Sequence, residues 1–119
     1  MERFRFGDDV AFAPREELLD RVTVAPLSRR VSEGSPFQAA VFRVAPGGRI
    51  ARHPATYPQI LAVLEGSGKV SGASGIDERI AAGEAIFWPA GEVHETKTAA
   101  GLTALIIEGD GLELFRRLM

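Results

Sequence analysis

Short stretches in which apolar and polar residues alternate run through most of this chain, and Gly or Pro interrupts them about every eight to twelve residues. Alternation with a period of two is typical of strands with one buried face. The pattern predicts a turn at 33–36. It predicts strands at 21–24, 37–45, 61–64, 69–71, 80, 85–88, 93–97 and 102–108. So many short strands favour an all-β closed barrel or double-sheet jelly roll, because closure removes exposed strand edges.

The length and composition predict one domain. With 119 residues, 45% of them hydrophobic and 25% charged, the chain can bury a single core. We divide it into an N-terminal arm with the first strands (1–36), a barrel core (37–110) and a C-terminal helix (111–119). Pro14 and the acids after it predict a short helix at 14–20. Asp110 and Glu113 form a capping-box pattern at the start of the C-terminal helix.

Charge and cysteine content exclude several classes of function. The formal net charge is −2, and Lys occurs only at positions 69 and 97 among scattered Arg residues, which argues against a nucleic-acid partner. The absence of Cys excludes disulfides and thiolate ligands. The first residues carry charges where a signal peptide needs an apolar run, and no segment reaches the length of a membrane span. We therefore expect a cytoplasmic protein without a membrane partner.

The segment from Gly66 to Lys69 has the composition of a phosphate-binding loop but not its spacing. Val63 stands where such a loop has its first Gly, and Val70 stands where it has the Ser or Thr that contacts magnesium. The segment also leads into a predicted strand rather than a helix. We predict no nucleotide site here.

Both histidines of the chain lie in motifs with regular spacing. In the first motif, Gly47 is followed after five residues by His53, and the motif continues through Ala55 and Gln59 to Gly66. In the second, Gly83 is followed after five residues by Pro89-Ala90-Gly91, and His94 comes after two more. Together the two motifs span most of the predicted barrel.

These two motifs resemble those of the cupin superfamily, in particular small single-domain bacterial cupins of the conserved-barrel type. The first motif departs from the family at Ala55, where a second His is expected, and at Gln59, where Glu is expected. The second departs only at Thr98, where Asn is expected. The resemblance implies a jelly-roll β-barrel, also called a double-stranded β-helix, and a homodimer to which the N-terminal arm contributes.

The resemblance also implies that His53, Gln59 and His94 converge inside the barrel. Two neutral imidazoles and an amide oxygen can hold a divalent ion such as Fe, Mn, Ni or Zn, but more weakly than three His and a carboxylate. A site without metal is an equally open alternative. The histidines could instead be polar core residues hydrogen-bonded to Thr or Gln, since a buried polar group needs a partner.

A pocket for a small organic molecule is predicted around these groups. Ala104 and Ile106 of the last strand add apolar surface to it, and Trp88 is predicted to belong to the core or the rim. No inward-facing acid is identified, so a general base would have to be His53 or His94. The predicted pocket residues are Gln38, Phe42, Ala55, Tyr57, Leu61, Val63 and Thr96.

Three functions remain open from the sequence. The first is a barrel that binds a small organic ligand, with or without a weak metal site. The second is a metal-dependent cupin enzyme of the dioxygenase, isomerase or decarboxylase type. The third is a metal-free barrel that serves only dimerisation. The changes at Ala55 and Gln59 favour the first over the second, and fold alone does not decide among them.

Overall fold

Two long strands organise the fold, because each pairs with three or more of the other strands. The computed structural model describes residues 1–29 and 37–115. A 3-10 turn, Asp8–Val10, precedes the strands. The strands are β1 (Leu19–Pro26), β2 (Phe37–Pro54), β3 (Gln59–Ser71), β4 (Glu78–Ala81), β5 (Ala85–Trp88), β6 (Val93–Lys97) and β7 (Leu102–Gly109).

The pairing of four strands closes into a ring. β7 is antiparallel to the first part of β2 and to the first part of β3. β6 is antiparallel to the later parts of the same two strands. The order β2, β7, β3, β6 therefore returns to β2, which makes a closed barrel, while β1 extends from β2, and β4 and β5 extend from β3. The predicted all-β jelly roll is confirmed.

Glycines of the first motif mark the points where β2 and β3 pass from β7 to β6. Gly47 has φ 81° and Gly66 has φ 79°, which are left-handed values that favour glycine. A Cβ on Gly66 would collide with the carbonyl oxygen of Gly101 and would lie 3.2 Å from the Cα of Leu102. The spacing of these two glycines is therefore a requirement of barrel geometry.

The barrel interior is filled mainly by apolar residues at alternate strand positions, as period-two alternation requires. Polar side chains on the inner face occur mostly toward one end, where residues 12–19 cross the barrel. The buried apolar cluster consists of Val22, Val24, Ala40, Val44, Ile50, Leu61, Val63, Val70, Ile80, Trp88, Leu102, Ala104 and Ile106.

The predicted N-terminal helix at 14–20 is wrong. Leu19 and Asp20 pair with Ile50 and Arg49 as the start of β1. The Ala51 N–H also donates to the Leu18 carbonyl at 2.7 Å. This strand pairing outweighs the weak helix preference of a short segment.

The predicted C-terminal helix is not formed over 111–115. Leu114 and Phe115 are 42% and 84% exposed, so these two apolar side chains do not supply the packing that stabilises a short helix. Residues 116–119 lie outside the described residues, as do 30–36 with the predicted turn at 33–36. In the described part of the chain, no helix is long and apolar enough to cross a membrane.

Candidate functional site

A cavity of about 340 Å³ lies inside the barrel, at the end that residues 12–19 cross. Its walls are mostly apolar, with Phe42, Leu61 and Ile106 contributed by three different strands. Phe12 and Leu18 of the N-terminal segment also line it. This volume is within the range of about 300–1,000 Å³ that is usual for sites of small organic molecules.

The two histidines form a contacting pair at the cavity wall. The register of β2 and β6 places His53 directly opposite His94. Their ring centroids are 4.4 Å apart and the ring planes are tilted by 54°. Both residues line the cavity, so side chains 41 positions apart in sequence meet at one site.

A backbone carbonyl fixes the tautomer of each ring. His53 Nδ1 is 2.7 Å from the Ala51 oxygen, and His94 Nδ1 is 3.0 Å from the Glu92 oxygen. Because a carbonyl oxygen can only accept, each Nδ1 carries the hydrogen. In the neutral form of each ring the lone pair is therefore on Nε2, which is left for a hydrogen-bond donor or a metal ion.

His94 is the more enclosed of the two imidazoles. It is 3% exposed and stacks on Trp88, with centroids 4.3 Å apart and an interplanar angle of 28°. Burial is the main cause that lowers the pKa of His94 below its ordinary value of 6.5, and it outweighs the opposing hydrogen bond to Glu92. The neutral form of the ring therefore predominates near pH 7.

The Pro-x-Gly turn of the second motif holds the carbonyl that orients His94. The Glu92 N–H donates to the Pro89 carbonyl at 3.1 Å, which closes the turn. The turn is fixed to the end of β2 because Gly91 N donates to Ala55 O at 2.7 Å and Ala55 N donates to Glu92 O at 3.0 Å. The motif therefore orients the His94 ring through the backbone carbonyl of Glu92.

A row of side chains crosses neighbouring strands on the inner face, and we call it the inner row. In the described strands it consists of Gln38 on β2, Glu108 on β7, Gln59 on β3 and Trp88 on β5, each opposite the next. All of these residues line the cavity. A carboxylate therefore lies between two amides in the register of the sheet.

The expectation that the cavity holds no acid is wrong. Glu108 lines the cavity from β7, and Glu16 lines it from the N-terminal segment. Period-two alternation places Glu108 on the same face as Ala104 and Ile106, so the sequence contained the information that locates it. The sequence did not contain the information that locates Glu16, because the N-terminal arm has no regular alternation.

Four of the predicted pocket residues line the cavity. Gln38, Phe42, Leu61 and Thr96 line the cavity together with the metal candidates His53, Gln59 and His94.

The remaining predicted pocket residues do not line the cavity. Val63 is opposite Ala104, farther along β3, and is packed in the core. Ala55 is buried at the end of β2, where its backbone holds the Pro-x-Gly turn. Tyr57 is half-buried in the bend between β2 and β3. Contrary to the prediction, these three residues therefore do not line the cavity.

The donor groups do not fit a tightly held metal ion. Two imidazoles have the tautomer that a metal needs, and each is oriented by a carbonyl, as metal ligands commonly are. Over residues 1–29 and 37–115, however, no group of three or more His, Cys, Asp or Glu is arranged to hold an ion. Two imidazoles and the Gln59 amide would give weak binding at most.

Comparison with known proteins identifies the family. Residues 40–108, more than half of the chain, match the model of the Cupin domain family. The match confirms the resemblance that the two motifs carry. Among curated proteins, none matches this sequence significantly.

Solved structures with the same fold include proteins of different chemistry. The polyketide cyclase RemF from Streptomyces resistomycificus is 28% identical, with a TM-score of 0.79 over 92% of this chain and 79% of that one. A predicted oxalate decarboxylase from Thermotoga maritima is 24% identical, with a TM-score of 0.67 over 74% and 79%. A cupin-2 domain from Rhodospirillum rubrum is 19% identical, with a TM-score of 0.73 over 95% and 77%. The last two likenesses concern the fold alone.

Proposed function

Because this chain belongs to the cupin family, we propose that its barrel binds a small organic molecule, which donates hydrogen bonds to Nε2 of His53 and His94. The observation that carries this proposal is the pair of Nδ1 contacts to backbone carbonyls. They orient both lone pairs before a ligand arrives, so binding does not have to order the rings.

The lining of the cavity restricts the chemistry of this ligand. Apolar walls suit a ring system, and the imidazoles suit a hydroxyl donor such as a phenol or an enol. The amides of Gln38 and Gln59 can donate to a ketone oxygen or accept from a hydroxyl. A ring compound that carries hydroxyl and ketone groups satisfies all of these partners.

One relative supports this class of ligand. RemF, at 28% identity, is named a polyketide cyclase, and a polyketide is rich in ketone and enol groups. We propose a ligand of the same class for this chain.

Calorimetry and thermal unfolding with 2-naphthol and naphthalene test the proposal, because the two compounds differ by one hydroxyl. We expect 2-naphthol to bind more tightly and to raise the melting temperature more than naphthalene does. His53→Phe keeps a ring but removes the nitrogens, so it should abolish the difference. Thr103→Val, outside the cavity, is the control and should preserve it. Equal responses to both compounds in the unmodified protein would contradict the proposal.

A second candidate function is catalysis of ring closure in such a ligand, which Glu108 favours. The Glu108 carboxylate would take the α-proton of a ketone, and the resulting enolate carbon would form a bond to a second carbonyl carbon of the same molecule. The oxygen of that carbonyl would then receive the proton, which restores the carboxylate. The reaction needs no oxidant and no further reactant.

Exchange of the α-protons of 2-tetralone in deuterated water, followed by NMR, tests the first step. We expect the protein to accelerate exchange, and Glu108→Gln to remove most of this acceleration. Glu65→Gln, an exposed acid on β3, is the matched control and should exchange at the original rate. If Glu108→Gln exchanges as fast as the control, Glu108 is not the base.

A further inference from the structure

A second row of side chains crosses four neighbouring strands on the outer face of the barrel, and we call it the outer row. It consists of Arg49 on β2, Lys97 on β6, Lys69 on β3 and Arg79 on β4. Arg49 is opposite Lys97, Lys97 is opposite Lys69, and Lys69 is opposite Arg79. The cations that are scattered in the sequence are therefore brought together by the strand register.

This arrangement costs folding stability. Like charges directly opposite each other on neighbouring strands repel. Lys97 is partly neutralised, because its Nζ is 2.8 Å from an Asp77 oxygen and 4.0 Å from a Glu95 oxygen. Within residues 1–29 and 37–115, Lys69 has no ion pair and lies between two cations. A bound anion would relieve this repulsion. The row therefore has the character of an anion-binding surface.

We propose that the outer row binds a short polyanion, namely a small molecule with two or more phosphate or carboxylate groups. The residues of the row line a groove of about 440 Å³, and Gly47, Gly48 and Gly68 also line it. Neighbouring strands are about 4.8 Å apart, so the row extends over roughly 14 Å. A single phosphate would contact only part of it, whereas a chain of anionic groups would contact most of it.

Charge elsewhere favours a short polyanion over a nucleic acid. The chain has a net charge of −2, so the surface outside the row is acidic on balance. Electrostatic attraction from the row is screened beyond about 8–10 Å at ordinary ionic strength. A long nucleic acid would extend past the row onto this acidic surface, while a short molecule would stay within it.

The site differs in kind from a phosphate-binding loop. Gly68 and Lys69 lie within β3 rather than in a loop before a helix, so their backbone groups are engaged in the sheet. The anion would instead be held by side-chain cations on neighbouring strands. This agrees with the absence of the loop spacing in the sequence.

Titration calorimetry with tripolyphosphate, at low and at physiological salt, tests the proposal. We expect Lys69→Gln/Arg79→Gln to bind the probe at least about ten-fold more weakly than the unmodified protein. Arg3→Gln/Arg15→Gln makes the same change in net charge at exposed positions outside the groove, and its affinity should be unchanged. Without the probe, the melting temperature should rise in the first variant only, because repulsion within the row is relieved.

Several results would overturn the proposal. One is equal weakening in both double variants, which would mean that only the overall charge attracts the probe. Others are no binding by the unmodified protein, or equal affinity for inorganic phosphate and tripolyphosphate. Tighter binding of a short single-stranded DNA than of tripolyphosphate would assign the row to nucleic acid instead.

Discussion

The inner row and the outer row are both aligned by strand register, but they differ in how their charges are balanced. On the inner face, Glu108 lies between Gln38 and Gln59, whose amides can donate to a carboxylate. On the outer face, cations lie opposite cations. Water and salt weaken repulsion at the surface, whereas a polar group in the interior needs a complementary partner. The same barrel can therefore place a carboxylate between amides on its inner face and leave a row of like charges only partly compensated on its outer face.

This comparison predicts that the fold depends on the inner row far more than on the outer row. Trp88→Ala should destabilise the protein by about 3–5 kcal/mol, because it removes a side chain that is 3% exposed and stacks on His94. Arg79→Ala, the matched change at the end of the outer row, should stay within about 0.5 kcal/mol. Urea unfolding measures both. Similar losses of unfolding free energy in the two variants would contradict the predicted difference between the rows.

The two faces should also respond differently to pH. In the unfolded chain His94 binds a proton near its ordinary pKa of 6.5, while burial keeps the pKa of the folded protein lower. Between these values the unfolded state binds more protons, so stability falls as pH falls, by at most about 1.4 kcal/mol per pH unit. Lys97 does not contribute to this pH dependence. Its hydrogen bond with Asp77 raises its pKa above the ordinary 10.5, so it stays charged throughout this range.

Unfolding free energies measured over this pH range, with His94→Gln as the reference, check the prediction. The two curves should converge or cross as the pH drops below 6.5, since only the unmodified protein loses this contribution. Parallel curves would show that His94 does not couple protonation to folding.

A smaller effect is expected from reversing one charge of the outer row. Lys69→Glu replaces two repulsive cross-strand pairs, with Lys97 and Arg79, by attractive ones. The protein should become more stable by about 0.2–1 kcal/mol. Arg3→Glu has the same change in charge at an exposed position and should have no such effect. The difference should shrink in high salt, and a difference that persists there would have another origin.

The smallest effect is expected from removing metal. Because no group of three or more His, Cys, Asp or Glu in the described part of the chain is arranged to hold an ion, dialysis against a chelator should leave the melting temperature unchanged. Elemental analysis of tag-free protein, before and after loading with Fe, Mn, Ni or Zn, should give less than one ion per chain. A stoichiometric ion that survives dialysis and disappears in His53→Ala would contradict this.

Alternation located the strands only in part: the prediction ended one strand at 45 and divided another into 61–64 and 69–71, whereas β2 continues to Pro54 and β3 is continuous from Gln59 to Ser71. The meeting of the two histidines was implied by the family resemblance. Alternation identifies the buried face of a strand. Glu108 was missed although it continues the alternation of Ala104 and Ile106 by one step. The helix predicted at 14–20 failed because capping preferences are weaker than strand pairing.

The outer row could not have been predicted in the same way. Its cations lie on different strands, and only the register aligns them. Register depends on turns and bulges across the sheet, and a shift of one residue moves every side chain to the other face. The homodimer, the cytoplasmic location and the weak metal site stay predictions for the same reason, since each depends on more than local pattern.

The cyclic pairing of the barrel also governs when it can form during synthesis. β7, at Leu102–Gly109, joins the first parts of β2 and β3, which are made much earlier. Until β7 has left the ribosome, those parts of β2 and β3 present unpaired edges to the solvent. The barrel therefore cannot close before β7 has emerged, and the open intermediate is the state in which a chaperone would meet the nascent chain.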